Sequence, residues 1–294
     1  MENLKYWVWL SRIELEAPGA LSTLLKKYKT PEKIWELDCV ELLKNNLKKE
    51  QIEEILKVDY RKNLNKYLDY MHKHNIETIT INDENYPKQL KNIYDPPIAL
   101  YIKGNKKILN NLSLAIVGCR ECSLYGKKIA RAFAKSISKC NINIVSGLAK
   151  GIDSSSHIGT LEGKGKTIAV VGTGLDIVYP KENKYLQDRI INENGAVVSE
   201  FVIGTKINKI NFPKRNRIIS GLSNGVLVVE AKEKSGAFIT VDYALEQGKN
   251  VYVIPGNIDS KNSEGTNNLA KQGAKIVTEL KDILEDYVEK NFLI

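Results

Sequence analysis

The stretch LAIVGCRECSLYGKKIARAFAKSISKCNINIVS, residues 114–146, decides the fold. It opens on a short apolar run, LAIVG (114–118), and closes on another, INIVS (142–146). Between them, LYGKKIARAFAKSISK carries apolar residues at three-to-four spacing, the period of a helix packed along one side. The same alternation continues through TIAVVG (167–172), AVVSE (196–200), GVLVVE (225–230), VYVIPG (251–256) and AKIV (274–277). Continuous apolar strands separated by helical stretches predict a parallel sheet covered on both faces. The expected class is therefore α/β, a Rossmann-like, doubly wound, mostly parallel sheet over residues 113–294, closing on an amphipathic helix in ELKDILEDYVEKNFLI.

Upstream the rhythm differs. Residues 1–75 carry helical spacing in six stretches and predict a small all-helical domain. Thr30-Pro31-Glu32 reads as a helix start, with an N-cap, a proline at the first helical position and an acid in the first turn. The segment LEAPGALSTLLKKY (15–28) is similar to a helix-hairpin-helix, whose turn offers amides to a DNA phosphate. Pro18 removes one of those amides, so a plain packing turn is the competing reading. Residues 76–112, with Pro96-Pro97 and Gly104-Asn105, read as a connector packing on the next domain.

The formal net charge is +9. Residues 1–80 hold 14 Lys/Arg against 13 Asp/Glu, and residues 81–294 hold 30 against 22, so the excess belongs to the larger part. That balance suits an anionic partner. No run is long and apolar enough to span a bilayer, and the N-terminus lacks the basic start and cleavage site of a secretory signal. Four cysteines in a chain of this length fit a reducing cytoplasm. Cys119 and Cys122 form a lone CxxC with no second pair and no histidine beside it, so no metal site is expected.

Ligands of an open parallel sheet bind beyond the carboxyl ends of its strands. Those ends carry Gly118-Cys119-Arg120, Ser146-Gly147, Gly172-Thr173-Gly174 followed by Tyr179-Pro180-Lys181, and Glu230 followed by Ser235-Gly236. Two readings fit these glycines: close approach of an anion to backbone amides, or tight strand-to-helix turns. Gly172-Thr173-Gly174 lacks the third glycine of a dinucleotide fingerprint, and no Walker lysine motif occurs, so no cofactor is expected. Asp153 and Glu230 are candidate acids or bases without an evident paired carboxylate, and His157 reads as a packing residue.

The segment NFPKRNRIISG (211–221) concentrates the charge. Lys206, Lys209, Lys214, Arg215 and Arg217 occur with no acid among them, and Pro213 suits a helix's first turn. Cations at a helix N-terminus oppose the macrodipole unless an anion is bound there. Arginine suits forked phosphate contacts, and Phe212 offers a face for an unstacked base. An ion pair with Glu200 or Glu230 is the alternative for one of the two arginines.

Taken together, the residues resemble a known family. Tyr86-Pro87, Pro96-Pro97, IVGCR, VSGLAKGID followed by His157, GKTIAVVGTGLDIVYP, VSEF, NFPKRNRIISGLSNGVLVVEA, SGAFIT, VIPG and EGTNNLAKQGA occur in the order of the DNA processing protein A (DprA/Smf) family. The resemblance covers about residues 80–280, and the helical N-terminal part is similar to the family's SAM-like domain. It implies a non-catalytic, cytoplasmic protein that binds single-stranded DNA during natural transformation. Such a protein protects the strand, helps load the RecA recombinase and forms a homodimer. Carried over by motif, the DNA-binding residues are Gly118, Arg120, Ser146, Gly147, Lys181, Phe212, Lys214, Arg215, Asn216, Arg217, Ser235 and Gly236.

Two departures accompany the match. Cys119 stands where Thr or Ser is usual, and the C-terminal winged helix that many members carry is not expected here. The competing function is a Rossmann-like nucleotide-processing enzyme that hydrolyses an N-glycosidic bond. Its phosphate loop would correspond to Ser235-Gly236-Ala237-Phe238, where the diglycine is absent.

Overall fold

The computed structural model describes residues 3–13 and 20–289. The Ala17-Pro18-Gly19 turn of the hairpin-like segment lies outside the described residues. Six helices come first: α1 Leu4–Arg12, α2 Ala20–Tyr28, α3 Pro31–Trp35, α4 Cys39–Leu43, α5 Lys49–Leu56 and α6 Val58–Lys73. Thr30 does stand at the N-cap of α3, in extended backbone, though its side chain makes no capping bond. Asp38 does that work for α4, where it accepts from the Glu41 amide in a full capping box.

The remainder forms one nine-stranded sheet, in the order β1-β2-β6-β5-β4-β3-β7-β8-β9. The seven expected strands are present as β3 Ser113–Val117, β4 Asn143–Ser146, β5 Thr167–Val170, β6 Ala196–Ser199, β7 Gly225–Val228, β8 Asn250–Val253 and β9 Lys275–Ile276, all parallel to their neighbours in that group. The stretch 76–112 departs from the connector reading. It supplies β1 Glu77–Thr80, the short helix α7 Lys88–Lys91 and β2 Ala99–Gly104. β2 pairs antiparallel with β6, Tyr101 opposite Ser199, so the segment continues the sheet rather than packing on it. The apolar run Ala99-Leu100-Tyr101-Ile102 is buried and drives that pairing.

Alternation along the strands divides the core. Leu114 and Ile116 of β3, with Leu227 and Val229 at β7, face α8 Leu124–Ser138, α9 Ile152–Glu162 and α14 Lys281–Glu289. Ala115, Val117, Val226 and Val228 face the opposite layer, which includes α11 Asn211–Gly221, α12 Ala237–Glu246 and α13 Glu264–Lys271. The helix α10 Lys184–Asn192 lies beside β6 and shares a third cluster with the N-terminal helices. That cluster joins Trp9, Leu10, Ile34 and Met71 to Tyr101, Val171 and Val197 of the sheet.

The chain winds from β3 to β6 on one side and then crosses to β7, β8 and β9 on the other. The switch therefore falls between β3 and β7, where the loops part and leave a crevice at the carboxyl ends.

His157 of α9 is fully buried. Its Nδ1 lies 2.7 Å from Thr167 Oγ1, whose own proton goes to the Ile144 carbonyl at 2.7 Å, so Nδ1 carries the hydrogen. Nε2 finds no partner among the described residues. Burial, and then the charge of Arg215, pushes its pKa from 6.5 down to about 3. Below pH 6.5 the unfolded chain takes up a proton that the folded one refuses, so folding stability falls between about pH 6.5 and 3. The expected slope is up to about 1.4 kcal/mol per pH unit, and His157→Gln should remove it. Urea midpoints of both proteins at pH 7 and pH 5 measure the difference.

Candidate functional site

The crevice is a cleft of about 680 Å³. The N-termini of α11, at Asn211, and of α12, after Gly236, open toward it, and neither has an acid in its first turn. The cations on its walls are Arg120, Lys209, Arg215, Lys232 and Lys234, against two carboxylates, Glu121 and Asp153. Lys232 and Glu121 form an exposed pair at 3.3 Å, which holds little energy.

Glu230 organises the switch point. It is buried, its Oε2 accepts the Ser123 amide at 2.8 Å and its Oε1 accepts the Ser123 hydroxyl at 2.5 Å. Ser123 in turn accepts from the Gly126 amide and caps α8. Cys119 sits beside it, with Sγ 3.9 Å from Glu230 Oε2. Burial first, and Glu230 second, pushes the thiol up to about 12, so it stays protonated and points its weak donor at Glu230.

α11 carries the floor. Phe212, Arg215 and Ile219 recur at helical spacing on the side that lines the cleft. The Arg215 guanidinium is 5% exposed and lies against Gly147. Nη1 donates to the Gly147 carbonyl at 2.7 Å and to the Val170 carbonyl, and Nε donates to Asn216 Oδ1 at 3.0 Å. Burial pushes its pKa down to about 10, with Asp153 opposing, so it keeps its charge at neutral pH. Asp153 is raised by burial and lowered in part by Arg215. It accepts the Ala149 amide at 3.4 Å, which ties the loop before α9.

Arg217 turns the other way. Nη1 and Nη2 donate to the two oxygens of Glu200 at 2.8 and 2.6 Å, and Nε donates to Asp95 at 3.2 Å. Burial alone would lower its pKa, but Glu200 and Asp95 outweigh that and raise it. With Lys214 it lines a separate groove of about 440 Å³ beside Tyr94, Asp95 and Tyr243. The carboxylate partner foreseen for one of the two arginines is thus Glu200, and the arginine is Arg217.

The other expected site residues divide as follows. Gly118, Arg120, Phe212, Arg215, Asn216, Ser235 and Gly236 line the cleft. Ser146 does not, because it is fully buried and its hydroxyl donates to the Ile116 carbonyl at 2.7 Å. Gly147 lies buried beneath Arg215, where a Cβ would stand 2.3 Å from Nη1. Lys181 is exposed on a 3-10 turn outside the walls. Lys209, Lys232, Lys234 and Tyr179 were missed and belong to the lining. Lys209 was legible in the acid-free run before α11, whereas Lys232 and Lys234 are masked in sequence by the intervening Glu233.

Comparison with known proteins then decides the family. The model of DNA recombination-mediator protein A matches residues 77–288. The chain belongs to this family. It is 46% identical over 210 residues to the DNA processing protein DprA of Streptococcus pneumoniae, covering 71% of this chain and 74% of that one. An X-ray structure of the S. pneumoniae protein superposes with a TM-score of 0.79 at 36% identity, covering 94% and 95% of the two chains. DNA processing protein A of Helicobacter pylori, described structurally for its single-stranded DNA binding mode, gives 0.66 at 30% identity over 73% of this chain and 96% of that one. Among the described residues, no group of three or more His, Cys, Asp or Glu stands close enough to hold a metal, and no helix is long and apolar enough to cross a membrane.

The recombination-mediator fold therefore holds two arginines of α11 in different roles. Arg217→Ala leaves Glu200 buried and unpaired and should lower folding stability by about 3–5 kcal/mol. Lys209→Ala, at an exposed position, should change it by less than about 0.5 kcal/mol. Denaturant unfolding of the two variants measures the contrast.

Proposed function

We propose that this recombination mediator holds single-stranded DNA in the cleft between the β3 and β7 loops. The observation that carries the reading is the charge of that cleft: five cations face two carboxylates, and one cation, Arg215, is fixed in the floor. Aromatic groups lie among the cations, which suits unpaired bases alternating with phosphates. The H. pylori relative, with its single-stranded DNA binding mode, supports the same ligand.

We further infer that the cleft is non-catalytic. Glu230 is taken up by Ser123 and Asp153 by the Ala149 amide, so neither carboxylate is placed as a free acid or base. Ala237 is buried at the start of α12, where an N-glycosidic enzyme would need a second glycine against phosphate. In this reading the protein works in the cytoplasm as a homodimer, protects the strand and passes it to the RecA recombinase.

Of the site residues, Arg120, Arg215, Asn216, Phe212, Ser235 and Gly236 touch the strand, joined by Lys209, Lys232 and Lys234. The space beyond Gly236 is open, so a phosphate can approach the α12 amides there. Gly118, Ser146, Gly147 and Arg217 shape the walls from behind.

Binding should weaken steeply with salt. About four phosphate contacts predict roughly a 50-fold loss of affinity between 50 and 200 mM salt. Arg120→Ala should flatten the slope of log affinity against log salt by about 0.7. Fluorescence anisotropy with a labelled oligonucleotide tests both, with blunt duplex as competitor. Equal affinity for the duplex, or a flat salt response, would refute the reading.

A further inference from the structure

The CxxC of the sequence frames Arg120 and Glu121, and strand binding leaves its two thiols unused. The backbone of Cys119 is held from two sides. Its amide donates to the Glu230 carbonyl at 2.8 Å, and its carbonyl accepts from the Ile152 amide at 3.3 Å. Cys119 Sγ lies 3.9 Å from Glu230 Oε2, the oxygen that also accepts the Ser123 amide at 2.8 Å. Both ends of the segment 119–123 therefore meet at one carboxylate oxygen, and the chain bends at Arg120 and Glu121 to bring them there. Cys122 is the neighbour of Ser123, and its thiol is free, as is that of Cys119. Cys119 is buried and Cys122 half-buried, whereas Arg120 and Glu121 are exposed. Glu121 holds only weak contacts, an exposed ion pair with Lys232 and a 3.3 Å bond from Asn262 to its carbonyl.

We propose that Cys119 and Cys122 are a peroxide-oxidisable pair whose disulfide withdraws Arg120 from the bound strand. The proposal rests on the single-strand reading of the cleft. Cys122, the less buried thiol, attacks hydrogen peroxide as its thiolate. The O–O bond breaks, Cys122 becomes a sulfenic acid, and one water leaves. Cys119 then attacks that sulfur, the S–O bond breaks, and a second water leaves with the Cys119 proton. The two thiols together lose two hydrogens and two electrons, and one peroxide is reduced. A disulfide needs its Cα atoms within about 7 Å, a spacing that a turn of four residues supplies. Cys119 is fixed by β7 and α9, so Cys122 makes the approach and the exposed residues between them take up the movement. The Arg120 guanidinium stands 5.6 Å from the Phe212 centroid, and closure draws it off that ring.

Glu230 sets the pace. Burial first, and Glu230 second, push both thiols up, Cys119 to about 12, so few thiolates form at neutral pH. A sulfur whose thiol has a high pKa is also a slow leaving group, so the bond once made is slow to open. The pair is therefore a latch that answers sustained oxidation rather than a rapid switch.

The test uses the full chain with Cys39→Ser and Cys140→Ser, which leaves only this pair. After hydrogen peroxide the intact mass should fall by two hydrogens, both thiols should resist alkylation, and dithiothreitol should reverse both changes. Fluorescence anisotropy with labelled oligothymidylate should show about tenfold weaker binding of the closed form. Its slope of log affinity against log salt should be flatter by about 0.7, the share of one phosphate contact. Adding Cys122→Ser should keep affinity within about twofold of the reduced parent, before and after peroxide. Thiols that stay open to alkylation, or gain oxygen without joining, overturn the proposal. So does a closed pair that binds oligothymidylate as the reduced form does, or a Cys122→Ser variant that loses the same affinity to peroxide. A reduced chain that fails to bind oligothymidylate overturns the single-strand reading itself, while the mass still reports whether the pair closes.

Discussion

Arg217 lies inside the protein with both of its terminal nitrogens on Glu200, and the geometry of the cleft depends on that contact. Glu200 follows β6, Arg217 sits in the middle of α11, and Asp95 comes from the turn before β2. One guanidinium therefore ties a strand end, a helix and a loop of the sheet's antiparallel margin. The net stability of such a pair is small, because desolvation offsets most of the attraction. Its placement is another matter: any rotation or slide of α11 would leave a charge buried without its partner, at a cost of several kcal/mol. With Ile218 and Ile219 buried beside it, the pair fixes which side of α11 faces the crevice. Phe212, Arg215 and Asn216 are presented to the cleft because Arg217 is not.

The glycines at the strand ends show how a correct location can arise from a different immediate cause. Sequence places them where a ligand binds and leaves open whether the ligand or the chain needs them. At Gly118 a Cβ would meet Ile152 at 2.6 Å and the Glu230 carbonyl at 2.7 Å. At Gly147 it would meet the Arg215 guanidinium. Both glycines make room for the protein's own groups, and at Gly147 the group admitted is a cation of the cleft floor. Of the two glycines that line the cleft, Gly236, with nothing within 4 Å, has space that an outside ligand can fill. The positive charge of the site thus comes from side chains, one of which a glycine accommodates.

The parallel strands β3 to β7 were legible because each is a mostly apolar run buried on both faces, a pattern that local composition alone displays. β1 and β2 were not, since three of the four residues Glu77-Thr78-Ile79-Thr80 are polar and β2 follows a proline pair. Their pairing is antiparallel and long-range, β2 meeting β6 almost a hundred positions on, and nothing local announces it. The division of the cations was legible in principle. Residues on a helix advance about 100° per position, so Arg215 and Arg217 point about 200° apart and cannot share one wall. Lys214 and Arg217, three apart, belong to one side, and both do line the second groove. What the sequence withheld was which side would be the cleft, because Glu200 and Gly147 are brought to α11 only by the tertiary fold.

The cations left in the cleft differ in what they can contribute. Arg120, Lys209, Lys232 and Lys234 are exposed and are screened by salt. On the proposed reading they set how fast an anionic strand arrives and how its affinity falls with ionic strength. Arg215 is held by two carbonyls and Asn216, loses no side-chain freedom on binding, and acts from a floor that water reaches poorly. A charge fixed in that way would give a bound phosphate a defined position rather than a general attraction. Asp153 moderates it, which keeps a buried arginine tolerable when the cleft is empty. On the proposed reading, a cleft built with one buried cation and several exposed ones can hold a strand in register at the floor while the phosphates on either side exchange partners. On the proposed reading, that arrangement suits a mediator that keeps a strand and still releases it.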